Sequence, residues 1–128
     1  MTKKRTNSVP EKLKDEINQK ANQIIEAKFK PYIFERDKGM KEHGFNYVVD
    51  IYTKWWHNYF YFYCKYHCPS PRAICEFFDD PFTRMEYLSN ERFDLSYMRH
   101  TNQWWKVYTG LTLEEVWQTI EEEIIFWP

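Results

Sequence analysis

Apolar residues recur with a helical period at both ends of this chain and with a period of two between them. These periods predict the order helix, strands, helix, because side chains repeat about every 3.6 residues in a helix and every two in a strand. Near the N-terminus the apolar positions are Leu13, Ile17, Ala21, Ile24 and Ile25. Ser8 and Glu11 have the spacing of a capping box, and Pro31 disfavours helical geometry in the residue before it. We therefore predict a helix from Ser8 to about Lys28, followed by a polar connection over 35–44.

The second helix has the clearest local signals. Thr112 and Glu115 form another capping box. Leu111 and Val116 lie at the positions of a hydrophobic staple around it. Apolar residues then follow at the spacing of a helix that packs on a core, namely Leu113, Val116, Trp117, Ile120 and Ile124. The pattern predicts a core-facing helix that begins after Thr112.

Between the helices, alternating segments bounded by turn residues predict about six short strands. Their predicted ranges are 45–53, 59–68, 73–78, 82–88, 92–99 and 104–109. In the first strand the odd positions, from Phe45 to Ile51, are apolar and are expected to face the core. Residues 55–58 are predicted to connect the first two strands, and residues 79–81 to form a turn.

The predicted fold is a single α+β domain, with an antiparallel meander of about five to six strands and an N-terminal and a C-terminal helix packed on it. Short connections between consecutive strands require antiparallel pairing. Ten Phe, ten Tyr and six Trp supply the core that a chain of 128 residues needs. We assign residues 8–128 to this domain and residues 1–7 to a disordered tail.

Charge is unevenly distributed although the net charge is only −1. Residues 1–30 hold eight basic and four acidic groups, whereas residues 111–128 hold five Glu and no Lys or Arg. Two solvated helix faces of opposite sign explain this, and the helices could complement each other within the monomer or across a homodimer.

The chain has no apolar run long enough for a membrane helix, and its polar, basic start predicts no signal peptide. We expect a cytoplasmic protein without membrane contact.

The last third of the chain resembles a family of small uncharacterised bacterial proteins. The residues that carry the resemblance are Arg84-Met85-Glu86-Tyr87, Arg92-Phe93, Leu95 to Thr101, Trp104, Tyr108, Gly110 to Glu115 and the final Phe126-Trp127-Pro128. More loosely, the whole chain is similar to a domain of unknown function that begins with a helix and is rich in Trp in its last strands. The resemblance implies the same order of elements and implies no reaction.

The first candidate site is the predicted turn that contains Arg99, His100 and Thr101. Trp104 and Trp105 follow it, so a cation, an imidazole and a hydroxyl lie beside two large rings. Such a group can stack a planar ligand and bind a phosphate or carboxylate, or it can simply stabilise the turn. Further binding residues, as outer anchors of an interaction surface, are Trp55 and Trp56.

The second candidate is the odd-numbered face of the second strand, which carries Tyr59, Tyr61, Tyr63, Lys65 and His67. Rings at every other strand position form a platform on which bases stack in single-strand binders. Such binders usually add a basic groove, and residues 31–110 are neutral. We therefore expect a helix to cover these tyrosines. An open face would instead favour nucleic-acid binding.

Three cysteines complete the candidates. Cys64, Cys68 and Cys75 with His67 supply zinc-ligand types, but in a strand His67 points away from Cys64 and Cys68. We predict no metal and no cofactor. No nucleophile elbow, phosphate loop or paired-carboxylate motif is present, which disfavours an enzyme. The sequence favours a small binding or interaction module for an unknown protein or small ligand. A single-stranded nucleic-acid binder and an enzyme centred on His100 are the alternatives.

Overall fold

A computed structural model describes residues 8–128, so the predicted tail at 1–7 lies outside the described residues. The helical elements are α1 (Glu11–Ile24), a π-helical segment (Ile25–Phe29), α2 (Lys30–Arg36), α3 (Lys38–Glu42), α4 (Leu113–Glu122) and a 3-10 turn (Ile124–Phe126). The strands are β1 (Tyr47–Trp56), β2 (Tyr59–His67), β3 (Phe77–Tyr87), β4 (Arg92–Met98) and β5 (Trp104–Thr112). None of the helices over residues 8–128 is long and apolar enough to cross a membrane.

The N-terminal helix is longer than predicted. Its apolar stripe is buried as expected, but helical backbone continues past Pro31 to Arg36 instead of ending near Lys28. Pro31 lacks the N–H that would bond to the carbonyl four residues earlier. The preceding turn is π-helical, and there the Lys30 N–H donates to the Ile25 carbonyl, five residues back. The wider turn lets the chain pass the proline without ending the helix.

Two other predictions for this region were also wrong. The helix has Pro10 as its N-cap and no side-chain capping bond, so Ser8 and Glu11 form no capping box. Much of the predicted connection over 35–44 is helical, because α3 begins at Lys38. The polar composition there indicated a connection, but exposed polar residues can be helical as readily as irregular, and within this segment Asp37 is buried.

The predicted antiparallel meander is confirmed, and its five strands lie in the order β1-β2-β3-β4-β5. The first hairpin is tighter than predicted, because β1 includes Trp55 and Trp56 and the turn has only two residues. His57 adopts the left-handed conformation in that turn, with φ of 54°. The expectation that Phe45 faces the core was wrong, since 61% of it is exposed.

A bulge in β1 changes which residues of that strand face inward. The register shifts between Val48 and Asp50, and the buried residues are Val48 and Ile51. A bulge inserts one residue without a partner, so the alternation changes parity across it. The β2 alternation is regular, and its even positions Phe60, Phe62 and Cys64 are buried as predicted.

β3 replaces two predicted strands and the turn between them. Residues 69–76 form a loop instead of a third strand, and β3 runs through Asp79-Asp80-Pro81 without turning. Pro81 lies next to a register shift in the β2–β3 pairing. The β4 pairing begins only at Thr83, so the proline is at an edge on that side, where strands tolerate it.

The helices pack on one face of the sheet, and Phe29 is at the centre of this contact. Phe29 is fully buried, and its ring centroid lies 6.2 Å from that of Phe62, 5.8 Å from that of Phe82 and 5.0 Å from that of Trp127. α4 packs on β4 and β5 through Val116, Trp117 and Ile120, which are buried. The predicted stripe residue Ile124 is instead 62% exposed, because α4 ends at Glu122.

The oppositely charged helical regions meet within one chain. Lys28 Nζ lies 3.2 Å from Glu121 Oε1, which joins the π-helical segment to α4. This contact provides charge complementarity within the monomer, one of the two arrangements that the sequence left open.

The capping box at α4 is confirmed and leads to a first prediction. Thr112 Oγ1 accepts a hydrogen bond from the Glu115 N–H at 3.2 Å, and Glu115 Oε1 accepts from the Thr112 N–H at 2.8 Å. We expect Thr112→Ala to lower the free energy of unfolding by about 1 kcal/mol, because it leaves a helix N–H without its partner. Urea denaturation measures this. Gln118→Ala, on the exposed side of the same helix, is the control and should change stability by less than about 0.5 kcal/mol.

Candidate functional site

The face of the sheet turned away from the helices is lined with rings. We call it the outer aromatic face and define it by Tyr52, Trp56, Tyr59, Tyr61, Tyr63 and Trp104. Phe60 and Phe62 are fully buried on the helix side, so the odd-numbered tyrosines of β2 project from the other side. The expectation that a helix covers these tyrosines was therefore wrong. They are partly exposed, and the core that the helices cover lies on the opposite face of β2, where Phe60 and Phe62 are buried.

The rings form a continuous ladder. The ring centroids of Tyr59 and Tyr61 are 6.0 Å apart, and those of Tyr61 and Tyr63 are 5.9 Å apart. Tyr63 stacks on Tyr52 across the β1–β2 pair, with centroids 5.3 Å apart and planes only 8° from parallel. The ring of Trp56 stacks on that of Tyr59, with centroids 6.4 Å apart, and Trp56 is 56% exposed. The ladder therefore presents ring surface from the β1–β2 hairpin to the middle of the sheet.

Arg84 joins this ladder to the second half of the sheet. Its guanidinium carbon lies 4.6 Å from the ring centroid of Tyr59 and 4.6 Å from that of Trp104. Trp104 also contacts Tyr61, with centroids 5.8 Å apart. A cation over two rings is attracted by both. The same contacts order the long Arg84 side chain before any ligand arrives.

A row of cations crosses the face at right angles to the ladder. Successive register pairs align Lys54 with Tyr61, Tyr61 with Arg84, Arg84 with Ser96, and Ser96 with Lys106. Each strand thus contributes one residue to the row, and three of the five are basic. Sequence patterns did not predict this row, because its members are separated along the chain and are aligned only by strand register.

The three cations of the row have different electrostatic partners. Lys106 Nζ lies 2.7 Å from Asp94 Oδ2 and 4.0 Å from Glu86 Oε1. Its hydrogen bond to Asp94 is the main reason that the pKa of Lys106 is raised. Within residues 8–128 neither Lys54 nor Arg84 forms an ion pair. These two cations are available to an anionic ligand, whereas Lys106 is already neutralised.

The stacked phenols of Tyr52 and Tyr63 stay neutral at physiological pH. Burial, together with the charge of Asp79 and a hydrogen bond to it, raises the pKa of Tyr52 to about 12. Burial is also the main cause of the raised pKa of Tyr63. Neutral rings keep the electron-rich faces that stack on bases, and they add no negative charge to repel phosphate.

The structure separates the seven residues predicted as ligand contacts. Trp56 and Trp104 lie on the outer aromatic face and are linked through Tyr59 and Arg84. Trp55 projects to the other side of β1, where its Nε1–H donates to Asn18 Oδ1 at 3.1 Å. Trp55 therefore connects α1 to the sheet.

The remaining four predicted residues form a separate group at the β4–β5 turn. Arg99 lies over the ring of Trp105, with its guanidinium carbon 4.8 Å from the centroid. Trp105 is 53% exposed, and His100 and Thr101 are exposed as well. Arg99 and His100 also line a cavity of about 400 Å³, whose other walls include Cys64, Tyr66, Asp80, Phe82 and Met98.

Comparison with protein families gives one match. The model of a domain of unknown function, DUF3024, matches residues 9–128. The chain belongs to this family. The DUF3024 match extends over the upstream half of the chain as well as over the C-terminal third that carried the resemblance. Neither the curated proteins nor the solved structures contain a match to the chain.

Within the described part of this DUF3024 chain, the polar groups include no cluster suited to a metal. Among residues 8–128 no group of three His, Cys, Asp or Glu side chains is arranged to hold an ion. His67 contacts Tyr47 Oη at 3.1 Å and Glu76 Oε2 at 3.1 Å instead. Cys64 is buried beneath the helices, and burial raises the pKa of its thiol to about 12.

Sequence reasoning found the tyrosines of this DUF3024 face but placed them under helices. One signal distinguishes the two faces in the first half of β2: its even positions are Phe60 and Phe62, whereas its first three odd positions are all tyrosines. Phenylalanine has no polar group to satisfy and is suited to a dry core, whereas a tyrosine hydroxyl needs water or a partner. Arg84, Lys54 and Tyr52 were missed, because each lies on a different strand from the tyrosines that it accompanies.

Proposed function

We propose that this protein is a binding module that holds single-stranded nucleic acid on its outer aromatic face. The observation that carries the proposal is the open ladder of Tyr59, Tyr61 and Tyr63, with Arg84 ordered beside it. Stacking on aromatic side chains contributes about 1–3 kcal/mol per base and tolerates any base sequence. A sheet that exposes several such rings in a line offers this interaction to successive bases.

The spacing of the rings favours a single strand over a duplex. Neighbouring tyrosine centroids are about 6 Å apart, whereas stacked bases in a duplex are separated by about 3.4 Å. Bases that stack on these rings must therefore be spread apart, which a single strand permits and a duplex does not.

The charges on the face support weak electrostatic attraction to the phosphate backbone. Lys54 and Arg84 form no ion pair within residues 8–128, and Lys65 lies over the ring of Phe77 with its Nζ 5.0 Å from the centroid. These three cations can each contact one phosphate. A single strand releases about 0.7 counterion per phosphate contact, so the slope of log K against log salt should be about −2. Stacking, which depends little on salt, supplies the rest of the affinity.

Fluorescence titration with short homopolymeric DNA and RNA oligonucleotides tests the proposal. The exposed Trp56 and the partly exposed Trp104 report directly on stacking at the face. We expect binding in low salt, quenched tryptophan emission and the shallow salt slope given above. Failure to bind any single strand at low salt would contradict the proposal, because phosphate contacts are strongest there.

Variants of the face locate the binding. We expect Tyr61→Ala to weaken binding by about tenfold, since it removes one stacking surface from the middle of the ladder. Trp56→Ala should weaken binding as well. Because the Trp56 side chain is largely exposed, its removal should leave the fold intact, so that weaker binding reports the loss of the ring. Tyr32→Ala is the matched control, because Tyr32 is a partly exposed tyrosine on α2, where it packs on Trp127. Equal affinity for Tyr61→Ala and Tyr32→Ala would exclude the outer aromatic face as the binding surface.

The turn at Arg99, His100 and Thr101 supports a second candidate, an interaction surface for a protein or a small ligand. The specific observation is that Trp105 remains 53% exposed with Arg99 stacked on it, beside the cavity of about 400 Å³. Exposed Trp and Arg are the residue types that dominate binding hot spots. Chemical-shift changes confined to this turn on ligand addition, with the tyrosine ladder unaffected, would favour this candidate over the first.

A further inference from the structure

Two free cysteines lie at the base of the loop that connects β2 and β3. Cys68 directly follows β2, and Cys75 lies two residues before β3 begins. The Cys68 N–H donates to the Glu76 carbonyl at 2.7 Å, so the two ends of the loop are held together. His67 Nε2 and Glu76 Oε2, 3.1 Å apart, add a second contact at the same place.

The backbone hydrogen bond between Cys68 and Glu76 places Cys75 one residue from the partner of Cys68, and both cysteines are accessible. Burial raises the pKa of the Cys68 thiol, and the nearby charge of a Cys75 thiolate raises it further. Cys75 is exposed and Cys68 is partly exposed, so an oxidant in solution reaches both. Cys64 differs in each respect, since it is only 2% exposed and lies in the core.

We propose that Cys68 and Cys75 form a reversible intramolecular disulfide when the protein meets a peroxide or a low-molecular-weight disulfide. The proposal concerns the β2–β3 loop alone and does not depend on nucleic-acid binding. An oxidised loop would be closed covalently where the reduced loop is closed by hydrogen bonds.

With hydrogen peroxide the steps balance as follows. The Cys75 thiolate attacks one peroxide oxygen, the O–O bond breaks, and a sulfenic acid and hydroxide form. The Cys68 sulfur then attacks the Cys75 sulfur, the S–S bond forms, and the S–O bond breaks. The Cys68 proton leaves with the hydroxyl group as water. The two thiols lose two electrons together, and these electrons reduce the peroxide to water.

Tryptic mapping of the full-length protein tests this directly, because trypsin separates the three cysteines. Cleavage after Lys54, Lys65, Arg72 and Arg84 leaves Cys64 in peptide 55–65, Cys68 in 66–72 and Cys75 in 73–84. The reduced protein is treated with hydrogen peroxide, alkylated and digested without reductant. We expect peptides 66–72 and 73–84 to be joined by a disulfide and peptide 55–65 to be alkylated. Dithiothreitol should restore all three thiols.

Variants and a non-reducing gel distinguish this linkage from other oxidation. Cys64→Ser should retain the linked peptides, whereas Cys75→Ser should abolish them and leave Cys68 free for alkylation. The linked protein should migrate as a monomer. Linkage between two chains, or separate oxidation of Cys68 and Cys75 without a linked peptide, would overturn the proposal. Because the main readout uses the unaltered protein, it does not depend on the folding of any variant.

Discussion

Replacement of Phe29 by alanine should lower the free energy of unfolding by about 3–5 kcal/mol, the range observed for Phe→Ala in well-packed cores. Phe29 is fully buried, and its ring contacts Phe62 on β2, Phe82 on β3 and Trp127 near the C-terminus. These three neighbours belong to different elements, so they cannot all move into the space that the ring leaves. The cost therefore includes a cavity as well as the lost transfer of the ring from water.

The measurement is urea or guanidinium denaturation followed by circular dichroism, with the midpoint and slope fitted separately. Phe45→Ala is the control, because Phe45 is 61% exposed and should change stability by less than about 0.5 kcal/mol. A loss below about 1 kcal/mol for Phe29→Ala would show that the helices and the sheet do not share the packed core described above.

Replacement of Asp94 by alanine should cost about 3 kcal/mol. Asp94 is only 4% exposed, and its carboxylate accepts hydrogen bonds from Thr109 Oγ1 at 2.5 Å, from the Gly110 N–H at 3.1 Å and from Lys106 Nζ at 2.7 Å. Removing the carboxylate leaves the Thr109 and Gly110 donors without a partner at a part-buried site, and each such loss costs about 1–3 kcal/mol. Asp15→Ala, an exposed carboxylate on α1, is the control and should be neutral.

The same carboxylate gives a pH dependence with a defined sign. Burial alone would raise the pKa of Asp94, but the hydrogen bonds from Lys106, Thr109 and Gly110 outweigh it, and the net pKa is lowered. A carboxyl group whose pKa is lowered by folding stabilises the protein above its unfolded pKa of about 3.9, and this contribution is lost as the pH falls below that value. We therefore expect the stability difference between the unaltered protein and Asp94→Ala to be constant near neutral pH and to shrink below about pH 4. A difference that grows on acidification would contradict this assignment.

The Asp94 network also affects the candidate site. Lys106 is one of the three cations in the row that crosses the outer aromatic face, and Asp94 neutralises it. Asp94→Ala would free Lys106 for phosphate and should steepen the salt dependence of oligonucleotide binding. Asp94→Ala should thus lower the free energy of unfolding and add a phosphate contact to the binding face. Both effects can be measured on this one variant.

The elements that the sequence predicted correctly are those set by neighbours a few residues apart. The Thr112–Glu115 capping box, the buried stripe of α1 and the alternation of β2 all follow from the spacing of side chains along one helix or strand. Local geometry suffices there, since the spacing of side chains along one helix or strand decides which of them share a face. The antiparallel meander follows in the same way from short connections.

Local prediction failed where a distant partner decides the conformation. Pro31 predicts the end of a helix, but a π-helical turn lets the helical backbone continue past it. This π-helical segment contains Phe29, which is buried in the core. Asp79-Asp80-Pro81 reads as a turn, and pairing with β2 holds it extended. At Asp79-Asp80-Pro81 the pairing with β2 outweighs the local preference for a turn, whereas at Pro31 the wider hydrogen bond from Lys30 to Ile25 accommodates the proline.

The expectation that the aromatic residues supply the core was only partly correct. Buried rings such as Phe29, Phe60 and Phe62 do so. The tyrosines of β2 and Trp56 form a second set on the opposite face, and both faces of β2 are aromatic in the sequence. Hydrophobicity alone therefore could not say which face the helices cover.

By itself the sequence determined the order of the elements, the antiparallel sheet and the presence of a line of tyrosines on one strand. Only the tertiary structure decided that this line is open to water and that a row from Lys54 to Lys106 crosses it. The physical reason is that strand alternation is a property of neighbouring residues, whereas register aligns side chains from five strands. That alignment depends on the lengths of the turns, such as the two-residue turn between β1 and β2, and on single-residue bulges, each of which moves a whole strand relative to its partner.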